Sequence, residues 1–437
     1  MSPPPRSLPA SRVALLALLG LSLAVLGAAL ALWMRGRPDT PPQPPAAAED
    51  EEEPAPRLVL APGRFADLPG WERDDPAEAI EAFLRSCAAF RELPADQPLG
   101  GRDGYAGTAG DWRGACDAAP EVGEGAAAAR AFFEERFVPV AAANREDRTG
   151  LFTGYYEPTL HGSRRRHGPY RIPLYARPPE LVEVDLGAFR EDLEGRRIAG
   201  RLKDGRLVPF ADREAIVGGA LAGRGLEVLW VDDPVDAFFL EIQGSGRVRL
   251  EDGGEVRIGY ASQNGHPYYA IGRELVEMEA LSREEVSLQT IRAWLAENPE
   301  RAAEVMATNA SYVFFRTLGS DGPYGAQGVV LTPGRSLAVD RAVHALGVPV
   351  WLAASRPAVD PEATDVPLRR LMVAQDTGGA IRGPVRGDVF WGPGDEAEQI
   401  AGRMRHEGRM WLLLPRELAA ALTAGEAPES EPGAGDG

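Results

Sequence analysis

From Val13 to Trp33 the chain runs for 21 residues without a charge, VALLALLGLSLAVLGAALALW, with Arg6 and Arg12 before it and Arg35 and Arg37 after it. About 20 apolar residues cross a bilayer as a helix, so this run has the length of a membrane anchor. A cleavable signal has a shorter apolar core, roughly 7–15 residues, ending at small residues. The expectation is therefore an uncleaved anchor over residues 1–37, with arginines on both flanks giving little orientation. A lone apolar segment of this kind serves export, which puts the rest of the chain outside the cytoplasm. Residues 38–56, PDTPPQPPAAAEDEEEPAP, are too polar and proline-rich to fold and form a spacer that reaches roughly 60 Å when extended. Residues 417–437, ending in GEAPESEPGAGDG, read as a largely disordered tail.

Between these ends the composition is that of a globular protein, 44% hydrophobic and 26% charged. The formal net charge of −18 argues against a nucleic-acid partner, which selects for basic surfaces. Two cysteines, Cys87 and Cys116, exclude a cysteine-rich zinc framework and allow one disulfide at most, which would suit an exported domain. Two buried free thiols are the alternative, because Cys87 falls on the apolar face of a helix.

Helical spacing is clear in three places. Asp75 and Glu78 bracket Pro76 ahead of Ile80, Phe83, Leu84 and Cys87. Ala129, Phe133 and Phe137 line a second helix, and Ser282 with Glu285 opens a third through Leu288, Ile291 and Leu295. Elsewhere the period is that of strands. Val248 and Leu250 alternate with arginines, Asp252-Gly253-Gly254 turns, and Val256 and Ile258 resume, a hairpin. Phe238, Leu240 and Ile242 suggest a strand before it, and others fall at 328–332, 348–353, 370–375 and 410–414. With 50 glycines and few long helices, the chain is mainly β rather than a series of βαβ units.

Common catalytic signatures are missing: there is no P-loop, H-E-x-x-H, C-x-x-C or G-x-S-x-G, and the five histidines are scattered. No metal or organic cofactor is implied. Carboxylates remain. The segment LMVAQDTGGAIRGPVRGDVFW, 371–391, ends an apolar strand on Asp376 and, after a second glycine-rich turn, presents Asp388 beside Val389, Phe390 and Trp391. Desolvation there raises a carboxyl pKa as a general acid requires, although an isolated aspartate next to glycine more often only caps a turn. Gly154-Tyr155-Tyr156-Glu157-Pro158 after Thr153, Gln243-Gly244-Ser245-Gly246, and NASYVFFR with Tyr312 set aromatic faces beside amides and hydroxyls. That combination suits carbohydrate, with aromatic core packing as the alternative.

In order, GYYEP, EIQGSGRVRL, SYVFFR and AQDTGGAIRGPVRGDVFWG closely resemble the membrane-bound lytic murein transglycosylase A family, from about Phe83 to Pro415. The resemblance implies a discontinuous double-psi β-barrel, 57–160 and 321–416, with a second, barrel-like β domain inserted at 161–320 and a groove between the two. It implies a peptidoglycan lyase that cleaves the β-1,4 bond between N-acetylmuramic acid and N-acetylglucosamine and leaves 1,6-anhydro ends. Asp388 would be the catalytic acid with Asp376 in support, and Thr153, Tyr155, Tyr156, Glu157, Gln243, Ser245, Gly246 and Tyr312 would line or shape the groove. A wall hydrolase using water, or a glycan-binding scaffold without catalysis, are the alternatives. Partners would be glycan strands, the membrane through the amino-terminal helix, and cell-wall synthesis or division proteins. Lipoprotein members carry a cysteine directly after the signal peptide; here none precedes Cys87, so the expected location is the periplasm, on an inner-membrane anchor.

Overall fold

The computed structural model describes residues 55–424, except 191, 192, 194, 195, 320 and 321. The Val13–Trp33 run, nearly all of the spacer and the last thirteen residues lie outside these. Among the described residues no helix is long and apolar enough to cross a membrane.

In chain order the strands are β1 (Leu58–Pro62), β2 (Phe137–Asn144), β3 (Gly150–Glu157), β4 (Thr159–Ser163), β5 (Ile172–Tyr175), β6 (Leu181–Asp185), β7 (Arg197–Lys203), β8 (Arg206–Val208) and β9 (Glu227–Val231). They continue as β10 (Ser245–Leu250), β11 (Glu255–Gln263), β12 (Val313–Thr317), β13 (Ser336–Val339), β14 (Pro349–Arg356), β15 (Val366–Asp376), β16 (Arg386–Pro393) and β17 (Arg405–Pro415).

Six of them close a barrel in the order β3-β16-β13-β15-β14-β17, and the ring is completed because β17 also pairs with β3. Two of its interfaces, β13–β15 and β16–β3, are parallel and the other four are antiparallel. β2 and β1 extend the sheet outward from β17. Closure leaves no free edge on these six strands. The interior and the layer of helices against it share one apolar cluster including Phe83, Phe137, Phe152, Leu337, Trp351 and Leu412, each 0–1% exposed. Full burial of one such side chain contributes about 1.5–3 kcal/mol.

The second sheet, β12-β11-β10-β4-β9-β5, has its own core of Leu160, Leu229, Val248, Ile258 and Phe315. A parallel bridge from Ala176 to Phe315 links its two edges. β6, β7 and β8 form a separate small sheet. From Pro56 onward the described chain nevertheless packs as one unit.

The first helix, Ala77–Arg91, buries Phe83 and Cys87 as its spacing predicts, and Asp75 caps it by accepting from the Ala77 N–H at 3.1 Å. It is fixed to the barrel by Arg335, a buried residue. The Arg335 guanidinium donates to both carboxylate oxygens of Asp74 at 2.8 and 3.0 Å, to Glu78, and to the Leu371 carbonyl. Asp74 in turn accepts from the Leu371 N–H. Losing one partner of a buried pair like this costs about 3–5 kcal/mol, because the other charge is stranded.

Several expectations need correction. Phe238–Ile242 is not a strand but part of the helix Pro234–Gln243. Asp233 caps its first turn, Pro234 occupies the first helical position, and Gly244 stops it at φ 79°. A short apolar run cannot tell the two periods apart, and here the flanking residues decide. Phe137 does not continue the helix Ala126–Arg136; it begins β2. Ser282 and Glu285 are hydrogen-bonded, but only in a turn, and the next helix starts at Leu288 after a Ser287–Thr290 capping box. Residues 328–332 form no strand, only the isolated bridge Tyr324–Val330. Of residues 417–437, expected to be largely disordered, those up to Ala424 belong to the helix Arg416–Ala424, whose first residue donates to the Glu134 carbonyl at 2.7 Å and whose Ala419 is buried in the main core; the rest lie outside the described residues.

Cys87 and Cys116 are joined in a disulfide with Cα atoms 5.3 Å apart, so the free-thiol alternative does not hold. The bridge closes a loop with sequence separation 29. In the chain-entropy account a loop of that size contributes roughly 3–4 kcal/mol. A Cys87→Ala/Cys116→Ala double variant should lose about that much in urea unfolding, and a loss below roughly 1 kcal/mol would contradict this role.

Candidate active site

The barrel register brings the two aspartates of the carboxy-terminal motif to either side of one residue. β16 pairs with β13 so that Asp388 lies opposite Ala338, and β13 pairs with β15 so that Ala338 lies opposite Asp376. Two strand spacings, roughly 10 Å, separate their backbones. On its other edge β16 pairs with β3 in parallel, setting Thr153 beside Asp388 and Tyr155 beside Phe390. Thr153 and Tyr155 alternate onto one face of β3, while Phe152, Gly154 and Tyr156 take the other.

The two carboxyls are served differently. Asp376 accepts from the Tyr155 hydroxyl at 2.8 Å through Oδ2, and from the backbone N–H groups of Ala326 (2.9 Å) and Thr377 (2.8 Å) through Oδ1. Burial pushes it up to about 6, those donors restrain the rise, and the charge of Asp388 adds to it. Asp388 accepts a single bond, from Thr153 Oγ1 at 2.7 Å to Oδ1; among the described residues its Oδ2 has no partner. Burial raises Asp388 as well, against the pull of the Arg386 charge and the Thr153 hydroxyl. The residue is half-buried, which leaves the carboxyl poorly solvated without enclosing it. Arg386 Nη2 donates to Thr153 Oγ1 at 2.9 Å, so the threonine receives one bond and passes one to Asp388.

Tyr155 packs with Leu331, Ala338, Ile381 and Phe390, its ring 5.2 Å from that of Phe390, and burial with the nearby Asp376 charge holds its phenol well above the ordinary value. Thr153, Tyr155, Asp376 and Asp388 are thus one constellation. Gln243 is close behind: its Oε1 accepts the Tyr156 N–H at 3.0 Å, tying the end of the Pro234–Gln243 helix to the back of β3. Tyr156 packs there against Ala397 and Ala401. An open cleft of about 250 Å³ is lined on that side by Gly154, Tyr156, Gln243, Leu288 and Gly402, and it reaches Thr153 but neither aspartate.

Three of the sequence candidates serve structure rather than the constellation. Glu157, 1% exposed, accepts from Arg247 Nε at 2.8 Å and joins β3 to the second sheet. Gly246 is required by space, since a Cβ there would stand 2.4 Å from Leu240 Cδ1 and 2.9 Å from the Pro158 carbonyl oxygen. Tyr312 is buried among Tyr175, Phe210 and Phe314 with Arg213 over its ring, away from both aspartates. Ser245, half-buried, opens β10 beside Gln243. Arg386 was not singled out from the sequence, although it stands two residues before Asp388 and therefore on the same strand face. Among the described residues no group of three or more His, Cys, Asp or Glu is arranged to hold a metal.

Comparison with known proteins fits this geometry. The model "MltA specific insert domain" matches residues 151–316, and the "3D domain" model matches 335–414. A crystal structure of a membrane-bound lytic murein transglycosylase from Agrobacterium tumefaciens superposes with a TM-score of 0.72 at 38% identity, covering 84% of this chain and 99% of that one. The chain belongs to the membrane-bound lytic murein transglycosylase A family. Family membership extends to the membrane-bound lytic murein transglycosylase A of Escherichia coli, 33% identical over 266 residues, which are 60% of this chain and 65% of that relative's length. A structure of the E. coli family member with bound chitohexaose covers 82% of this chain and 91% of its own, with a TM-score of 0.58 at 27% identity.

The hydroxyl of Thr153 holds Asp388 down, so Thr153→Val should raise the Asp388 titration midpoint, read by carboxyl carbon NMR. Arg386→Gln should raise it too. A midpoint that falls or stays still in both variants would contradict the relay.

Proposed function

We propose that this protein is a peptidoglycan lytic transglycosylase in which Asp388 is the single acid and base. The observation that carries the reading is the asymmetry between the aspartates. Asp376 has three donors on its two oxygens and is held in place; Asp388 has one, and among the described residues nothing engages Oδ2 on this half-buried carboxyl. A group that must give a proton and take one back needs an unengaged oxygen and a raised pKa, and Asp388 has both.

In the proposed reaction protonated Asp388 donates to the glycosidic oxygen between N-acetylmuramic acid and N-acetylglucosamine. The C1–O bond breaks and the glucosamine leaves as its O4 alcohol. The muramoyl C6 hydroxyl attacks C1 and its proton returns to the Asp388 carboxylate, giving a 1,6-anhydro ring without water. Many glycosidases use a second carboxylate as nucleophile or base, and an intramolecular hydroxyl can take that place, helped by a high effective concentration. Asp376, with Tyr155, orients the site and places negative charge near the developing positive charge on the sugar.

The glycan substrate is supported by the chitohexaose complex of the E. coli family member. We read the closed barrel as a double-psi barrel spanning 57–160 and 321–416, with 161–320 as the inserted β domain and the substrate groove on the Thr153 and Tyr155 face. The disulfide and the Val13–Trp33 run support a periplasmic site of action, with that run as an inner-membrane anchor.

Purified protein incubated with peptidoglycan should release products ending in anhydromuramic acid, lighter by one water than hydrolysis products in mass spectrometry. Asp388→Asn should retain the fold by circular dichroism and lose about 100-fold or more in turnover. Reducing ends would mean a hydrolase, and an intact substrate would mean a binder.

A further inference from the structure

β4 and β10 run side by side in parallel, with Thr159 opposite Arg247 and Gly162 opposite Leu250. At one end they start from the Gln243–Tyr156 contact behind the candidate active site. At the other, some seven or eight residues and roughly 25 Å away, they open into a depression of about 510 Å³ lined by Ser163, Arg164–His167 and Leu250–Asp252. Three consecutive exposed arginines stand out on a chain whose net charge is −18. The turn that presents them is fixed: the Ser163 hydroxyl donates to Glu251 at 2.8 Å and accepts the Arg165 N–H at 3.2 Å, and His167 Nε2 meets Glu251 at 2.7 Å. Arg166 lies over the Trp230 ring at 5.6 Å. Among the described residues the guanidinium groups of Arg164 and Arg165 have no ion-pair partner.

We propose that this depression binds the charged peptide stems of glycan strands, as an accessory site for the same polymer that the catalytic groove takes; it rests on the transglycosylase reading. Peptide stems carry several carboxylates and an amine. Arginine forks match carboxylates through paired hydrogen bonds, and Asp252 at the rim offers a place for the ammonium. A uniformly anionic bilayer would be repelled by Glu251 and Asp252, and it presents a flat surface rather than one that fits a depression. A long strand held in the catalytic groove has the length to reach a second site roughly 25 Å away, which gives binding at two points on one molecule.

The test is binding of the full chain, with Asp388→Asn so that strands survive, to stem-bearing strands and to strands stripped of their stems. The chain with native arginines should bind stem-bearing strands about tenfold more tightly, roughly the value of one good charge-assisted contact. Higher salt should reduce the preference. An Arg164→Gln/Arg165→Gln/Arg166→Gln variant should bind both kinds of strand alike, at the affinity of the stripped ones. No preference with the arginines present, or a preference that survives their loss, overturns the proposal. So does arginine-dependent binding to phosphatidylglycerol vesicles without any stem preference. Absence of binding to stripped strands, with the stem preference intact, would leave this site standing and count against the glycan groove instead.

Discussion

The pairing of β3 with both β16 and β17 holds the architecture together. Without β3 the ring β16-β13-β15-β14-β17 is an open sheet, with Val389 on the unpaired edge of β16 and His406 on that of β17. With it, every strand of the ring is paired on both sides, and the core around Phe152 is enclosed. The same parallel register with β16 puts Thr153 against Asp388, so the contact that completes the barrel also restrains the burial-driven rise of the candidate acid. Beyond Glu157 the chain passes directly into β4 and the second sheet. One strand therefore connects the barrel, the aspartates and the inserted segment.

Burial has opposite uses in the two parts of the molecule. Arg335 with Asp74, and Arg213 with Glu241 at 3.0 and 2.9 Å, are fully engaged on both partners and act as rigid joints, the first between a helix and the barrel and the second beneath the second sheet. Asp388 is desolvated with one oxygen unserved. An oxygen left without a protein partner is free to meet a ligand, a feature a fold retains at a site that must remain open.

Much of this could be read from residue order. Apolar strands beside glycine-rich turns mark Asp376 and Asp388, and the GYYEP segment with its family resemblance marks Thr153 and Tyr155. The β10–β11 hairpin was legible from its alternation, and the structure pairs Val248 with Val256 as its turn requires. What was not legible depends on three-dimensional neighbours. Tyr312 and Glu157 look like groove residues in the chain, and only packing shows the first beneath Arg213 and the second locked to Arg247. Phe238–Ile242 was misread because its apolar letters fit either period, while the capping signal lay in Asp233 and Pro234 just outside it. Arg386 carries no motif of its own, and only its place two residues before Asp388 on the same strand puts it on that face.

The discontinuous order of the ring also has a consequence for how the protein comes into being. β3 is synthesised far ahead of β16 and β17, the only ring strands that pair with it, and everything from 159 to 317 is made in between. During synthesis or secretion the first part of the chain can form its helices and its Cys87–Cys116 crosslink from near neighbours, but no barrel can close until the final strand has emerged. Such long-range pairing slows folding and leaves apolar strands exposed meanwhile. A chain cut short before Arg405 would then be an unclosed, adhesive fragment.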